Sequence, residues 1–405
     1  MMPPQKKIRI YSPFFPDPPS GGSPQVVHDQ VRALSQLGHS IELVLWKDRP
    51  PSQTGFSSAV KIAQCLPQRE NSRQRAVRIL TSVASKRASP EEYYYPRATK
   101  LPALGPVDLA IYHYSFAYNW LADPAFQLPA EKKRVVFFHN LESELFTQNA
   151  QAESWPKNLI QKLNASKLEL HESELAERVD ELWFLSPADR DTYLARNRAV
   201  SPARCRLVGP TYSTEIRTLR RARFLSSAPG PDTILGFVGA MDFAPNHESA
   251  LWILTELAPR LRDAGFRGQI LLAGKGAAPE LLKKAADFSF VRFLGFVPDL
   301  EDGFWAKLSY ALIPHVQGSG TRIKLLEALA SGVPALASQG IEQRLLPGLR
   351  QHPLLHLSDD PADWVRRILA HAPFAERKAA LDTPFPKELD GAEIYRFLDS
   401  PEDFG

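Results

Sequence analysis

The chain has very little cysteine: Cys65 and Cys205 are the two thiols among its 405 residues. Two cysteines cannot build the disulfide framework of a small secreted protein, and their separation does not match the ligand spacing of a metal site. Long apolar runs are also missing, since no stretch approaches the roughly eighteen consecutive apolar residues that cross a bilayer. The first residues lack the apolar core of a signal peptide. These absences predict a cytoplasmic protein without a spanning helix.

The excess of one sign of charge is also small, because 49 basic and 45 acidic residues leave a net charge of +4. Such a mild excess indicates no polyanionic partner, and we expect no binding to nucleic acid. Apolar residues make up 44% of the chain and charged residues 23%, as in globular proteins. The length is sufficient for two or three domains, and two is the simpler expectation.

The positive charge is concentrated in one segment, residues 66–90, where Glu70 is the one acid among six cations. The cations are Arg69, Arg73, Arg75, Arg78, Lys86 and Arg87. Apolar residues recur between them at helical spacing, which indicates a basic amphipathic helix. Such a helix can lie against anionic headgroups at the inner face of a membrane and bring an enzyme to a lipid-linked acceptor. A solvated surface helix remains an equal alternative.

Strand-like and helix-like segments alternate twice along the chain, which predicts an α/β protein with two doubly wound parallel sheets. The first half begins with a strand at residues 7–11, a helix from about Gln25 to Leu37 that stops at Gly38, and a strand at residues 40–46. Further strands are expected at residues 109–112, 134–138 and 181–185, with a charged helix around residues 159–178. After a Pro-Gly-Pro cluster at residues 229–231, the second series has strands at 233–238, 269–273, 291–293 and 310–313.

The most informative motif is residues 314–328, PHVQGSGTRIKLLEA, which joins an apolar strand to a glycine-rich turn, two cations and a carboxylate. Glycines let backbone N–H groups approach phosphate oxygens, and the start of the following helix adds positive potential. A glutamate one or two turns later can accept hydrogen bonds from sugar hydroxyls. The motif therefore indicates a site for a nucleoside diphosphate and its ribose.

Together with this motif, several short sequences resemble the family 4 retaining glycosyltransferases of GT-B fold over residues 8–345. They are Ser20-Gly21-Gly22-Ser23, Gly38-His39, residues 138–143 (FHNLES), Phe237-Val238-Gly239, Ala273-Gly274-Lys275-Gly276 and Gly295-Phe296-Val297-Pro298-Asp299. Their order along the chain is that of the family. The sequences HNLES, at residues 139–143, and GSGTRIK, at residues 318–324, resemble those of a branch of the family that is often found in bacterial surface-polysaccharide gene clusters.

The resemblance implies a GT-B fold, in which two Rossmann-like domains face each other across a cleft. Residues 1–212 would form the acceptor-side domain and residues 213–385 the nucleotide-sugar domain. Residues 386–405 would be a tail that crosses back to the first domain. The implied activity is retaining, metal-independent transfer of a sugar from a nucleotide-diphosphate sugar to a glycan, a lipid-linked molecule or another hydroxyl acceptor. The donor is a substrate, and no cofactor is implied.

The resemblance also assigns roles to individual residues. Glu327 would bind the ribose, Arg322 and Lys324 would neutralise the diphosphate, and His139 would lie beside the reacting carbon. The other donor-binding residues implied are Gly21, Gly22, Gly239, Asn246, Phe296, Val297, Ser319, Gly320 and Thr321. Core packing explains the apolar pair at 296 and 297 equally well. We expect Glu142 and Glu144 to be surface carboxylates at the start of a helix, with acceptor binding as the alternative.

The chain departs from the family pattern at three positions. Ser319 stands where members commonly have the first of two glutamates, and a serine offers no charged acceptor. Ala240 and Pro245 stand where most members have an arginine and a lysine for the diphosphate. A departing diphosphate needs a compensating cation, so we infer that Arg322 and Lys324 supply it.

These departures keep two other functions open: a catalytically silent homologue that binds a partner or a carbohydrate, and a nucleotide-sugar epimerase. Two further motifs are decoys. Asp189-Arg190-Asp191 has the form of a metal-binding Asp-x-Asp, but Ser186-Pro187 precedes it as an N-cap and first-turn proline, so we assign no metal. Gly21-Gly22 lacks the third glycine of a dinucleotide fingerprint.

Overall fold

The computed structural model of the chain describes residues 5–16, 22–46, 56, 60–67, 71–84, 98–100, 104–115, 117, 130–211, 233–297, 300–314, 322–370 and 387–399. The chain divides into two compact units. Met1–Ser213 and Glu388–Gly405 make up most of the first unit, and Thr214–Gly318 with Arg322–Lys387 make up the second. Each unit has its own sheet and its own apolar core.

The first unit is built on an eight-stranded sheet of order β4-β3-β2-β1-β5-β6-β7-β8. The strands are β1 (Lys7–Ser12), β2 (Ser40–Trp46), β3 (Val60–Pro67), β4 (Ala98–Lys100), β5 (Val107–His113), β6 (Glu131–Phe138), β7 (Glu181–Phe184) and β8 (Cys205–Leu207). Neighbouring strands are parallel except at the edge, where β4 pairs antiparallel with β3. Strands β5 and β7 are almost entirely buried, which explains their largely apolar sequences.

In the part of the chain that the structure describes, the longer helices beside this sheet are α1 (Gly22–Gln36), α2 (Ser72–Ala84), α3 (Glu142–Ala152), α4 (Lys157–Leu175) and α5 (Pro187–Arg196). Helix α1 ends where Gly38 adopts a φ of +86°, and its last carbonyls accept from Gly38 and His39. This is the glycine stop that the sequence predicts. Helix α5 begins at Pro187, and the Ser186 side chain accepts from the Asp189 N–H at 3.4 Å, as expected for an N-cap.

The C-terminal segment packs on the first unit. A short helix, Gly391–Ile394, contacts α1, and Gly391 lies close to Ala33. Leu389, Tyr395 and Leu398 are buried there. The Lys6 ammonium donates to the Leu398 carbonyl. The start of the first strand and the end of the chain are thereby joined.

The second unit has a six-stranded parallel sheet of order β11-β10-β9-β12-β13-β14. Its strands are β9 (Ile234–Val238), β10 (Gln269–Ala273), β11 (Val291–Gly295), β12 (Tyr310–Ile313), β13 (Ala335–Ala337) and β14 (Leu355–Leu357). Its helices are α6 (Ala244–Trp252), α7 (Ala258–Asp263), α8 (Pro279–Ala286), α9 (Leu300–Gly303), α10 (Ile323–Ala330) and α11 (Pro361–Leu369). A π-helical turn, Ile253–Leu257, joins α6 to α7.

Both sheets reverse their strand order at one place, between β1 and β5 in the first unit and between β9 and β12 in the second. Parallel α/β sheets bind ligands outside the carboxyl ends of the strands at such a switch point. The predicted α/β class with two doubly wound sheets is therefore confirmed. Among the described residues, none of the helices combines the length and the apolar character needed to cross a bilayer.

Some element boundaries differ from the prediction. Helix α1 begins at Gly22, three residues before the predicted start. The sequence predicts that the helix of the glycine-rich motif starts near Thr321, but it begins at Ile323, because Arg322 has a non-helical backbone with φ −83° and ψ 83°. Arg322 thus immediately precedes the helix on which Lys324 and Glu327 lie.

Candidate functional site

The candidate site of the second unit lies at the switch point of its sheet. Strand β9 ends at Val238 and strand β12 at Ile313, and these neighbouring strands are followed by α6 and α10. The Ser249 hydroxyl on α6 donates to the Pro314 carbonyl at 2.7 Å, which ties α6 to the end of β12. Residues that follow β9 and residues of α10 are therefore brought together.

Gly239 and Asn246 are in close contact at this edge. A Cβ atom on Gly239 would lie 2.6 Å from the Asn246 Cγ, so no larger residue fits there without displacing the asparagine. The Asn246 amide donates to the Ala240 carbonyl at 3.0 Å, and its Oδ1 accepts from the Lys324 ammonium at 2.6 Å. These three contacts join the loop after β9 to α10.

Lys324 is the cation at the centre of this group. Its Nζ lies 4.3 Å from the centre of the Phe237 ring, within the range of a cation–π interaction. Burial, assisted by the neighbouring Arg322 and opposed by Glu327, lowers the pKa of Lys324 to about 7. Lys324 therefore interacts electrostatically with Arg322 and Glu327, the two other charged residues of the glycine-rich motif.

Glu327 is half-buried on α10, one turn beyond Lys324, whereas Leu325, Leu326 and Leu329 are buried in the core. The spacing of these residues in the sequence predicts a polar and an apolar face on this helix, and the burial of the leucines agrees with it. Gly21, Ser319, Gly320 and Thr321 lie outside the described residues, and their roles stay predictions. Gly22 is the first residue of α1.

Two further loops border the same edge of the second sheet. Gly274 follows β10 with a φ of +139°, and a Cβ atom there would lie 1.8 Å from the Gly239 carbonyl oxygen. Gly295 ends β11 with a φ of +68°. Phe296 follows it with 67% of its surface exposed, so the core-packing explanation of this residue is wrong. Val297 is half-buried.

His139 lies at the corresponding edge of the first sheet, directly after β6, and is 3% exposed. Its Nε2 is 2.8 Å from the Nδ1 of His113, at the end of β5. The Tyr114 ring stacks on it with centroids 4.4 Å apart and planes 1° from parallel. Tyr114 has a φ of +73°, a conformation that is costly for a residue with a side chain. Burial lowers the pKa of His139 to about 3, so its ring is neutral.

The expectation of a surface position is wrong for Glu142, which is 9% exposed at the start of α3. Burial raises the pKa of Glu142 to about 7 and that of Glu172, on α4, to about 8. Glu172 accepts from the Ser143 N–H at 3.1 Å and from its hydroxyl. Helices α3 and α4, which carry these two glutamates, pack against each other. Glu144 is partly exposed and pairs with Arg196.

The two aspartates of the Asp-x-Asp sequence, Asp189 and Asp191, lie in different environments. Asp189 is 4% exposed, whereas the Asp191 side chain is 62% exposed and pairs with Arg190 at 2.9 Å. Among the described residues, no cluster of His, Cys, Asp and Glu side chains is arranged to hold a metal ion. The metal independence of the chain stays a prediction.

Sequence reasoning did not identify His113, Tyr114, Gln30 and Tyr395 as neighbours of His139. A signal for the first two was present, because both directly follow a predicted strand at residues 109–112, where parallel sheets present functional side chains. No sequence pattern indicated that Tyr395 lies near α1, since 365 residues separate it from Gln30.

Comparison with known proteins gives a match to one family and to one curated relative. Residues 232–372 match the model of the family described as glycosyl transferases group 1. EpsF of Bacillus subtilis (strain 168), a candidate glycosyltransferase, is 30% identical over 139 residues, which are 33% of this chain and 35% of EpsF. The chain thus aligns with about a third of the length of this relative.

Solved structures resemble the chain over nearly its whole length. The sucrose-phosphate synthase of Thermosynechococcus elongatus is 18% identical with a TM-score of 0.58, and the match covers 99% of this chain and 96% of that one. HepE of Anabaena, solved with UDP and glucose, is 12% identical with a TM-score of 0.55, covering 97% and 98%. A UDP-forming trehalose-phosphate synthase of Burkholderia xenovorans is 13% identical with a TM-score of 0.58, covering 97% and 98%. At these identities the similarity is one of fold.

Proposed function

We propose that the chain is a GT-B glycosyltransferase that transfers a sugar from a nucleotide-sugar donor to a hydroxyl acceptor, because residues 232–372 match the group 1 glycosyltransferase model and the fold resembles that of a solved glycosyltransferase. The observation that carries this proposal is the hydrogen bond from Lys324 to Asn246, whose side chain lies directly against Gly239. This contact sets a cation at the carboxyl end of β9, next to the switch point of the second sheet. This chain has Ala240 and Pro245 where most family members have cations, and Lys324 approaches the same loop from α10.

The proposed donor contacts follow from this arrangement. Lys324 and Arg322 neutralise the diphosphate, whose charge increases as the sugar departs. Glu327 accepts hydrogen bonds from the ribose hydroxyls. The exposed Phe296 and the neighbouring Val297 border the base, and the predicted glycine-rich loops at residues 21–22 and 318–320 leave room for the phosphates and the sugar.

We further propose that the transfer retains the configuration of the sugar and needs no metal ion or other cofactor. His139 would lie beside the reacting carbon, with the leaving phosphate accepting the proton of the acceptor hydroxyl. Arg322 and Lys324 would then stabilise the negative charge of the leaving diphosphate, as a divalent cation does in other glycosyltransferases. HepE, one of the structural neighbours, was solved with UDP-glucose, which makes UDP sugars the first donors to test.

Calorimetric titration with a panel of nucleotide sugars tests the proposal. We expect one donor to bind, and Lys324→Met to weaken its binding by about tenfold or more, because a charge-assisted hydrogen bond to phosphate is lost. Lys283→Met is the matched control, since Lys283 is an exposed lysine on α8 of the same unit, and it should leave the affinity unchanged.

Three results would contradict the proposal. Binding of no nucleotide sugar would favour a silent homologue. Conversion of the donor sugar without any acceptor, and without release of the nucleotide, would favour an epimerase. Equal affinities of Lys324→Met and the wild type would remove Lys324 from the site.

The acceptor and the location belong to the proposal as well. We propose a glycan or lipid-linked acceptor and a cytoplasmic protein that contacts an anionic membrane through the basic segment. Arg73 and Arg75 of α2 are exposed, as are Val77 and Leu80 at 53% and 68%. Replacing Arg73, Arg75 and Arg78 by glutamate should weaken sedimentation with anionic vesicles, and unchanged sedimentation would contradict this contact.

A further inference from the structure

A chain of four buried side chains runs from the C-terminal segment to His139. The Gln30 Nε2 donates to the Tyr395 hydroxyl at 2.8 Å, and the Gln30 Oε1 lies 2.8 Å from the His113 Nε2. The His113 Nδ1 lies 2.8 Å from the His139 Nε2. All four residues are at most 3% exposed, so water does not replace these contacts. We call this chain the His139 relay.

The direction of each hydrogen bond in the relay follows from the first one. Because the Gln30 amide nitrogen faces Tyr395, its carbonyl oxygen faces His113 and can only accept. The His113 Nε2 must therefore carry a hydrogen. Burial lowers the pKa of His113 well below 6.5, so the ring is neutral and has one N–H. Its Nδ1 is then an acceptor.

The same reasoning fixes the tautomer of His139. Since the His113 Nδ1 accepts, the His139 Nε2 must donate, and the neutral ring leaves a lone pair on Nδ1. The His139 Nδ1 is buried and has no hydrogen-bond partner among the described residues. Stacking on Tyr114, whose hydroxyl donates to the Ser23 hydroxyl at 2.6 Å, holds the plane of the ring.

We propose that Gln30 and Tyr395 are positioning residues, which act through His113 to keep the Nδ1 of His139 as a hydrogen-bond acceptor for a hydroxyl group. In the proposed transferase, that hydroxyl belongs to the sugar being transferred, and the inference rests on the proposed function for this identity alone. The relay also gives the C-terminal segment a role in the site, because the Tyr395 hydroxyl accepts from the Gln30 amide nitrogen.

Nuclear magnetic resonance of the full chain with ¹⁵N-labelled histidine tests the relay without any substrate. We expect His139, assigned by the loss of its signals in His139→Gln, to carry its hydrogen on Nε2. In Tyr395→Phe the Gln30 amide loses its acceptor and is free to turn, so His139 should gain the Nδ1–H tautomer. Tyr193→Phe is the matched control, because the Tyr193 hydroxyl donates to the Glu172 carbonyl, outside the relay.

An Nδ1–H tautomer in the wild type, or an unchanged tautomer in Tyr395→Phe, would overturn the relay. If the chain is active, turnover should fall by at least about tenfold in Tyr395→Phe and not in Tyr193→Phe, because a wrong histidine tautomer is a severe defect in catalysis. An inactive chain with the expected tautomers would contradict the proposed function and leave the relay intact.

A separate observation concerns the outer face of α4. Trp155, just before the helix, is 79% exposed, and Leu159, Ile160 and Leu163 are 51%, 46% and 51% exposed. Residues four apart lie on one face of a helix, so these side chains form a continuous stripe. The opposite face is buried through Ala165 and Leu168, among others.

Lysines accompany this apolar stripe along α4, and the acidic residues Glu153 and Glu169 lie just outside it on either side. Residues 154–168 contain three lysines and no acidic residue. The Lys157 side chain is 72% exposed, and its ion pair with Glu153 at 3.8 Å contributes little because both side chains reach solvent. Exposed apolar residues with lysines and an aromatic residue are typical of helices that lie in the plane of a membrane interface.

We infer that the apolar stripe of α4 docks on an anionic lipid bilayer, with its leucines among the acyl chains and its lysines at the headgroups. Sedimentation of the full chain with phosphatidylcholine vesicles, with and without phosphatidylglycerol, tests this inference. The anionic vesicles should bind the chain better. The double variant Lys157→Gln/Lys162→Gln should lose about fivefold per lysine on them.

The leucines of the stripe are tested separately. Leu159→Gln/Leu163→Gln should weaken binding to both kinds of vesicle, whereas Leu282→Gln, a 45% exposed leucine of α8, should not. Equal binding of the variants and the wild type would overturn the inference. A concentration-dependent dimer that the leucine variant abolishes would also overturn it, because the stripe would then bind a second copy of the chain.

Discussion

Lys324 is held in a place that favours its neutral form until an anion arrives. Its pKa of about 7 means that the ligand-free protein releases a proton from this lysine as the pH rises from 6 to 8. A diphosphate beside the ammonium favours the charged form and raises the pKa again. The lysine should therefore bind phosphate and a proton together.

The affinity for a nucleotide-diphosphate sugar should consequently depend on pH. We expect the affinity to be constant below about pH 7 and to fall by up to about tenfold per pH unit above it, because a proton must be restored to Lys324 on binding. Calorimetry in buffers of different ionisation enthalpy should detect proton uptake at pH 8. The same titration of Lys324→Met should show neither effect, and a wild-type affinity that rises with pH would contradict this account.

Single residues were predictable from the sequence where a periodic pattern fixed their direction. The polar face of α10 with Lys324 and Glu327 is such a case, because the leucines between them mark the core side. The contact of Lys324 with Asn246 was not predictable, since it joins residues 78 positions apart. Glu142 was misjudged because a charged residue in a first turn is usually solvated, and nothing in the sequence shows that it is buried.

At the scale of elements, the loops after β9 and β10 are packed backbone against backbone. Gly274 has a φ of +139°, and the Gly239 carbonyl oxygen occupies the space of its missing Cβ. The loop that borders the site therefore depends on the absence of a side chain at 274.

Gly274→Ala should destabilise the protein by about 3 kcal/mol or more, because the backbone conformation is strained and the carbonyl must move. Gly105→Ala is the matched control: nothing lies within 4 Å of its added Cβ, and the change should alter the free energy of unfolding by less than about 0.5 kcal/mol. Denaturant unfolding of both variants checks the difference, and equal stabilities would contradict the packing described.

Elements with long apolar runs between clear breakers were predictable from the sequence. Strands Ser40–Trp46, Gln269–Ala273 and Tyr310–Ile313 have the predicted bounds. The strands Val60–Pro67 and Ala335–Ala337 were missed. The first carries polar residues among its apolar ones, and the second has three residues, too few for a periodic signal.

At the scale of the whole molecule, residues 388–399 pack in the first unit beside the residues that begin its sheet. Leu398 is fully buried, and the Trp183 ring lies against Tyr395 and Phe397. Local pattern could not predict this packing, because it joins segments at opposite ends of the sequence. It makes Tyr395 and Leu398 part of the core of the first unit.

Leu398→Ala should therefore cost about 2–5 kcal/mol, the usual range for truncating a buried leucine. Leu369→Ala, a 38% exposed leucine at the end of α11, should cost less than about 1 kcal/mol. Thermal unfolding followed by tryptophan fluorescence compares the two. A Leu398→Ala protein as stable as the wild type would show that the segment is not packed as described.

The central claim is that the group of Gly239, Asn246 and Lys324 holds the diphosphate of a nucleotide sugar. A crystal structure of the full chain with a bound nucleoside diphosphate tests it most directly. We predict phosphate oxygens within hydrogen-bond distance of the Lys324 ammonium and of the backbone at Gly239, with the ribose hydroxyls on Glu327. A nucleotide bound elsewhere would contradict the account. So would a bound phosphate that does not contact Lys324, with the Lys324 ammonium still donating to Asn246 only.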